Sequence, residues 1–336
     1  MPIPAISGYS TQIKNIGETS NRGIEFQIAA VIAAKKDFQW SANFNVAFNR
    51  SRVESLGPVQ SQTTSAGWQG SDGADDYLLK VGSPVGLMYG FITDGFFTVD
   101  DFNYDAGTKT YTLKDGRANT TAIFGNAQPG TIKLRDINGD GQIRLEDDRT
   151  VIGDANPKFT GGLNNQFSYK GFDLSIFVNW VYGNQVYNAN RIELTSTYYR
   201  NINMLDVMND RWKTVNAAGQ VVKDPTELAA LNANAKIWQP IINNRPYLYS
   251  WAIEDGSFLR INNITLGYSI PTKRIGIGWL AKARIYATVN NLATITNYSG
   301  FDPEVNTRGY NPLTPGVDFA AYPRSRTYVF GVNVTF

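Results

Sequence analysis

Residues 136–148 read Asp136-Ile137-Asn138-Gly139-Asp140-Gly141-Gln142-Ile143, followed by Arg144, Leu145 and the acids Glu146, Asp147 and Asp148. This is the spacing of a calcium-binding loop. Side-chain oxygens of Asp136, Asn138 and Asp140 at the first, third and fifth positions converge because a glycine at the sixth permits a sharp turn. The seventh residue, Gln142, offers its carbonyl, and an acid at the twelfth, Asp147, closes the shell. Aspartate reaches less far than the usual glutamate, which points to a weaker site or one completed by water. The same residue types also suit a polar turn without metal. No convincing helix flanks the loop, so a regulatory helix–loop–helix hand is not expected; a bound calcium would stiffen a loop.

Other chemistry is sparse. The 336 residues include no histidine and no cysteine. That removes the commonest general base, the commonest zinc ligand, any thiolate site and any disulfide frame. An enzyme is not expected, and no carboxylate pair stands out as a glycosidase site. Net charge is +2, and there is no basic cluster of the kind a nucleic-acid surface needs. Asp72, Asp75 and Asp76 form an acidic cluster in a glycine-rich stretch that reads as a solvated loop. Tyr198, Tyr199, Trp212, Trp238, Tyr247, Tyr249 and Trp251 crowd one segment; aromatic faces stack on sugars, but packing is the expected role for most.

The elements around these residues are strands. In 38–48, Phe38, Trp40, Ala42, Phe44, Val46 and Phe48 alternate with mostly polar residues, and 159–169, 172–182 and 284–290 behave alike. Segments 24–34 and 258–270 are noisier, with Ile24, Phe26, Ile28 and Ile32 in the first. The last twelve residues place Tyr328, Phe330, Val332, Val334 and Phe336 on one face, with Val329 as the large exception on the other. Alternation of period two gives each strand one apolar and one polar face. About seven such segments of membrane-crossing length read as a β-structure with one face to lipid. Mean hydropathy is −0.28, which a barrel tolerates because only alternate residues face lipid, and no apolar run of about eighteen residues offers a transmembrane helix.

The connections alternate in length. Lys35-Lys36-Asp37 and Lys170-Gly171 make short turns, and a modest stretch from Pro271 joins 258–270 to 284–292. The stretches 50–158, 184–257 and 296–324 are long. Short periplasmic turns and long external loops are the outer-membrane pattern, and the parity puts Phe336 in the periplasm. Segment 84–97 reads as a strand held outside the membrane, and 204–212 and 225–231 as short helices. The amino terminus, Met1-Pro2-Ile3-Pro4, lacks the basic region and apolar core of a signal peptide.

Several runs are similar to a known family. Asn156-Pro157-Lys158-Phe159-Thr160-Gly161-Gly162-Leu163-Asn164-Asn165 and Tyr169-Lys170-Gly171-Phe172-Asp173-Leu174-Ser175 resemble SusC/RagA-type TonB-dependent outer-membrane transporters. So do Ile253-Glu254-Asp255-Gly256-Ser257-Phe258-Leu259-Arg260, Leu266-Gly267-Tyr268, Tyr298-Ser299-Gly300-Phe301-Asp302-Pro303-Glu304 and Ala321-Tyr322-Pro323-Arg324. Asn15-Ile16-Gly17-Glu18 and Asn21-Arg22-Gly23-Ile24-Glu25 match upstream. The resemblance implies a barrel of about 22 strands with an amino-terminal plug. It also implies energised import of glycans or peptides under a SusD-type lid lipoprotein. No plug, TonB box or signal peptide is visible, so the chain reads as the carboxy-terminal part of such a transporter.

The expectation is therefore an all-β, antiparallel portion of a transmembrane barrel, an open curved sheet of about seven strands with long extracellular loops. Strands 24–34 and 325–336 should be its edges, and the isolated chain should be aggregation-prone. Expected partners are the lid lipoprotein, the TonB complex through the missing part, the barrel assembly machinery through Phe336, outer-membrane lipid and a glycan or peptide, with no nucleic acid. The alternative is a soluble or secreted β-rich carbohydrate-binding module, whose apolar faces would be buried between two sheets.

Overall fold

The computed structural model describes residues 17–68, 75–196, 201, 203–241, 247–272, 276 and 279–336. Its main element is a seven-stranded antiparallel sheet: β1 (Glu18–Lys35), β2 (Phe38–Ser55), β3 (Phe159–Tyr169), β4 (Phe172–Tyr182), β5 (Phe258–Ile270), β6 (Lys282–Thr296) and β7 (Thr327–Thr335). Each strand pairs with the next of the seven, and among the described residues β1 and β7 are the two edges and the ring is open. The seven are the segments marked by alternation. β1, β2 and β6 run further than the pattern shows, because the ladder continues through polar residues such as Asn21 opposite Ser51, where alternation carries no signal.

Opposed residues in an antiparallel ladder share a face, so the register joins seven alternations into two surfaces. One row crosses every strand as Ala33–Trp40–Phe167–Leu174–Leu266–Ala287–Phe330. A bulge after Val31 brings Ala33, rather than Ile32, opposite Trp40. No second sheet lies against this face among the described residues. Leu266 in mid-sheet is 50% exposed and Phe330 at the edge 80%. Aromatic pairs collect at both ends of the strands. Trp40–Phe167 and Phe172–Tyr268 lie toward the short turns, and Phe48–Phe159 and Phe159–Tyr182 toward the long loops, the placement of membrane girdles. No helix among the described residues is long and apolar enough to cross a membrane.

The β3–β4 turn consists of Lys170 and Gly171, at φ 46° and 91°. Both signs suit the twist of a two-residue hairpin, and Lys170 accepts the strained conformation there. The three long connections converge at the opposite end. They fold into one body with its own core, in which Tyr77, Phe91, Ile132, Ile143, Tyr187, Trp238, Tyr249 and Val317 are buried. Its largest sheet runs 149–154, 87–91, 77–80, 61–64, so segment 84–97 lies outside the main sheet, as the parity required. Helix Pro225–Leu231 forms where read: Asp224 caps it, accepting from the N–H groups of Thr226 and Glu227, and Pro225 suits the first turn. Residues 206–210 form a short 3-10 helix.

Candidate functional site

The face opposite the apolar row is polar. Ser41, Gln166, Ser175, Thr265 and Thr288 form one row. Thr265 and Thr288 are hydrogen-bonded at 2.8 Å. Above them Asn43, Asn164, Asn263 and Asn290 share a second row that Phe177 interrupts. Side-chain amides and hydroxyls offer donors and acceptors to a polar solute without holding it by charge. Asn165 is a polar intruder on the apolar face, and the Trp40 indole N–H satisfies it at 3.0 Å. Toward the short turns Asp173 on β4 and Arg284 on β6 join across the intervening β5, directly over Gly267.

The motif residues of the long connections gather into anchors. Arg260 on β5 is 1% exposed. Its Nη2 donates to Asp302 Oδ1 at 2.6 Å and its Nη1 lies 3.6 Å from Glu304. Arg324 reaches the same acids, at 3.3 Å from Asp302 and 3.0 Å from Glu304. Two cations and two anions from three separate runs thus pin the connection 297–326 to the sheet. Arg260 and Asp302 are buried and can stay so because they are bonded to each other, which neither could do alone, while Glu304 and Arg324, each about half exposed, close the cluster at the surface. A second anchor centres on Glu254. It accepts from Asn188 Nδ2 at 2.8 Å and from Ser299 N and Oγ at 3.0 and 2.8 Å, with Arg191 at 3.4 Å. Tyr298 donates to Asp318 at 2.5 Å, and burial together with that carboxylate holds its hydroxyl well above the usual tyrosine range.

The aromatic-rich segment is core. Trp212, Trp238 and Tyr249 are buried, and Trp238 packs edge-on against Tyr249 and Trp251. Tyr198 and Tyr199 lie outside the described residues, as does Asp72. Asp75 and Asp76 part company. Asp75 accepts from Thr63 Oγ1 at 2.6 Å, and the neighbouring Asp76 is 1% exposed. Asp76 accepts the Ala66 N–H at 2.7 Å beside Tyr77 and Tyr187, and burial pushes its carboxyl up to about 7.

In the 136–147 loop the first-position acid turns inward onto backbone: Asp136 accepts from Gly139 N and Gly141 N, each at 2.7 Å. Asn138 accepts from Asp140 N at 2.9 Å and Asp140 from Gln142 N at 2.7 Å. The Arg144 guanidinium is bonded to Asp140 and stands 3.9 Å from Asp147. The N–H of Gln142, with Arg144 behind it, holds the Asp140 carboxyl below the usual range. Among the described residues no group of three acids stands together as a metal cage. The loop is closed instead by Asp148, fully buried, which accepts from Ile137 N at 2.9 Å and Arg144 N at 2.8 Å. Nothing in the run Glu146-Asp147-Asp148 marks which acid turns inward.

No family model matches the chain. It is similar to TonB-dependent receptor P3 of Formosa agariphila, 31% identical over 339 residues, covering 100% of this chain and 30% of the relative. SusC of Bacteroides thetaiotaomicron is 26% identical over 351 residues, covering 99% of this chain and 28% of that protein. Among solved structures, that of the RagAB peptide transporter superposes with a TM-score of 0.66 at 21% identity, over 100% of this chain and 31% of its own. The chain spans about a third of the length of the curated relatives it matches. A sheet with one uncovered apolar face does not fit the carbohydrate-binding module, and the similarities do not support it either. Over its whole length, the chain belongs with the TonB-dependent receptors, and its seven-strand sheet has the fold of a portion of such a barrel.

Proposed function

We propose that the chain is part of the wall and the external loops of an outer-membrane importer for glycans or peptides, energised through TonB. The observation that carries this is the pair of continuous faces: an uncovered apolar row facing lipid and polar rows facing a solute path. In this reading the chain is the carboxy-terminal part of the barrel, its short turns and Phe336 lie in the periplasm, and β1 and β7 pair with strands supplied by the rest of the transporter. The reading gives transport and no bond-making chemistry to this chain. A SusD-type lipoprotein caps the loop body, the TonB complex acts through another part of the protein, and the assembly machinery recognises the strand ending at Phe336.

The test uses the complete gene that contains this chain, expressed with its neighbouring surface lipoprotein gene. The product should fractionate with the outer membrane, migrate as a heat-modifiable barrel and co-purify with the lipoprotein. A soluble product, or one that never binds the lipoprotein, contradicts the proposal.

Calcium in the 136–147 loop rests on the spacing and the tight turns alone, and Arg144 competes with it for Asp140 and Asp147. Calorimetric titration decides. Heat on adding calcium that disappears in Asp140→Asn supports the ion, and no heat leaves a polar turn held by Arg144.

A further inference from the structure

A cleft of about 480 Å³ opens in the loop body between residues 124–132, 211–215 and 239–241. That size lies within the range of small-molecule sites, roughly 300–1,000 Å³. Two features of its lining are informative. The first is charge: Arg211 and Lys213 stand in it, and no carboxylate does among the described residues. The Lys213 side chain is exposed and pairs with no acid among the described residues, while Arg211 donates one N–H to the Met208 carbonyl at 2.9 Å. The second is an excess of free amides. Asn126, Gln128 and Gln239 line the cleft, and no described residue bonds to their side-chain groups. An amide offers a donor and an acceptor side by side, which matches neighbouring hydroxyls of a sugar.

The backbone of the cleft is already occupied. Gln239 N donates to Gly130 O, Gly130 N to Phe97 O, Thr131 N to Gln128 O and Trp212 N to Ile237 O. Lys213 N and O are both taken by the Asn232 amide, at 2.6 and 2.8 Å. An extended peptide docks by adding a strand to a free edge, and these residues offer none. Recognition here has to come from side chains. Trp212, 4% exposed, gives a rigid base: its ring lies against Gly130, where a Cβ would come within 2.3 Å of it. Any residue but glycine at 130 would therefore displace the floor.

We propose that this cleft is a subsite for an oligosaccharide that carries carboxylates. Lys213 and Arg211 take the acid group, and the Asn126, Gln128 and Gln239 amides take ring hydroxyls. The inference deepens the importer reading and rests on it, since a subsite in the external loops is useful only where solute is captured from outside.

The experiment uses the complete transporter, purified in detergent, with calorimetric binding of three probes: trigalacturonic acid, neutral galactotriose and triglutamate. Trigalacturonate should bind best and weaken with added salt. Lys213→Gln should weaken it roughly tenfold, the loss of one charge-assisted hydrogen bond, and leave galactotriose unchanged. Gln128→Ala, which touches no charge, should weaken both sugars. Equal affinity of trigalacturonate for the parent and Lys213→Gln overturns the proposal, as does failure of all three probes to bind. So does tighter binding of triglutamate that is lost in Lys213→Gln, which would assign the cleft to acidic peptides. Heat-modifiable migration of the same samples tests the importer reading separately. A correctly inserted barrel that fails to bind sinks only the subsite, and a product that never inserts sinks the reading beneath it.

Discussion

Asp173 and Arg284 sit on strands that are not neighbours, yet they form a two-bond pair, Nε to Oδ1 at 2.9 Å and Nη2 to Oδ2 at 2.5 Å. Strand β5 runs between them, and the residue it places beneath the pair is Gly267. The Leu266-Gly267-Tyr268 run thus has a physical reason. Leu266 and Tyr268 face the apolar side, and the glycine leaves space for a bridge on the polar side. Gly331 plays a similar part beneath the Tyr286 ring.

Gly267→Ala puts a methyl group 2.3 Å from Arg284 Nη2 and 2.6 Å from both Asp173 oxygens. Those are side-chain ends that can swing away, so the substitution should break the pair and leave the strand intact. A double-mutant cycle of Gly267→Ala with Asp173→Asn, read from thermal unfolding of the barrel, should give a non-zero coupling of about 0.3–1 kcal/mol, as for a partly exposed pair. Strict additivity would show that the glycine does not serve the bridge.

The two faces should respond oppositely to charge. Ile264→Arg, at the centre of β5 on the apolar face, should cost about 2–4 kcal/mol, as for a charge at the membrane midplane. Thr265→Arg, one residue away on the polar face, should be tolerated. The abundance of heat-modifiable protein in the outer membrane reads out both. Equal losses would contradict the assignment of faces.

The anchor around Arg260 should behave as one unit. Arg260→Met leaves Asp302 buried without its main partner and should cost about 3–5 kcal/mol. Arg324→Gln, whose side chain is half exposed, should cost under about 1 kcal/mol. Adding Asp302→Asn to Arg260→Met should recover part of the loss. Hydrogen exchange of peptides from 297–324 localises the effect; unchanged protection there in Arg260→Met would dismiss the anchor.

Asp76 predicts a pH dependence in the loop body. Its folded-state carboxyl is raised by burial to about 7, from 3.8, so the folded state binds the proton more tightly than the unfolded one. Stability from this group is full below pH 4, falls as pH rises toward 7 and is flat above, a change of up to about 4 kcal/mol. Asp76→Asn keeps an acceptor for Ala66 N–H and should remove the slope. Exchange protection of 64–68, corrected for intrinsic rate, should fall between pH 4.5 and 7 only in the parent.

Much of this was legible in sequence because a lipid-facing strand has a two-residue period and leaves no ambiguity about its sides. Phe172, Leu174, Ile176, Val178 and Trp180 show it over a whole strand. The ends of β1 and β2 were not legible, since paired polar residues carry no alternation. Nor was the core of the loop body, because Tyr77, Ile143, Tyr187 and Val317 meet from distant connections and only the folded chain brings them together. The anchors lay inside recognisable runs, but that Arg260, Asp302, Glu304 and Arg324 form one cluster is a tertiary fact. For Asp147 and Asp148, adjacent and chemically identical, spacing pointed to the first, while the structure buries the second.

The central claim is that the sheet divides lipid from a polar interior, and because this chain has no cysteine, single labels can be placed in it once any cysteine in the rest of the transporter is replaced. Single cysteines at Leu174, Leu266 and Phe330, and separately at Ser175 and Thr265, would carry nitroxide labels in the complete transporter reconstituted in bilayers. The first three should relax faster with dissolved oxygen, which concentrates in lipid, and the last two with a water-soluble nickel chelate. Labels at Leu174 and Leu266 that respond to the chelate, or that are shielded from both reagents against a second protein layer, would contradict the account.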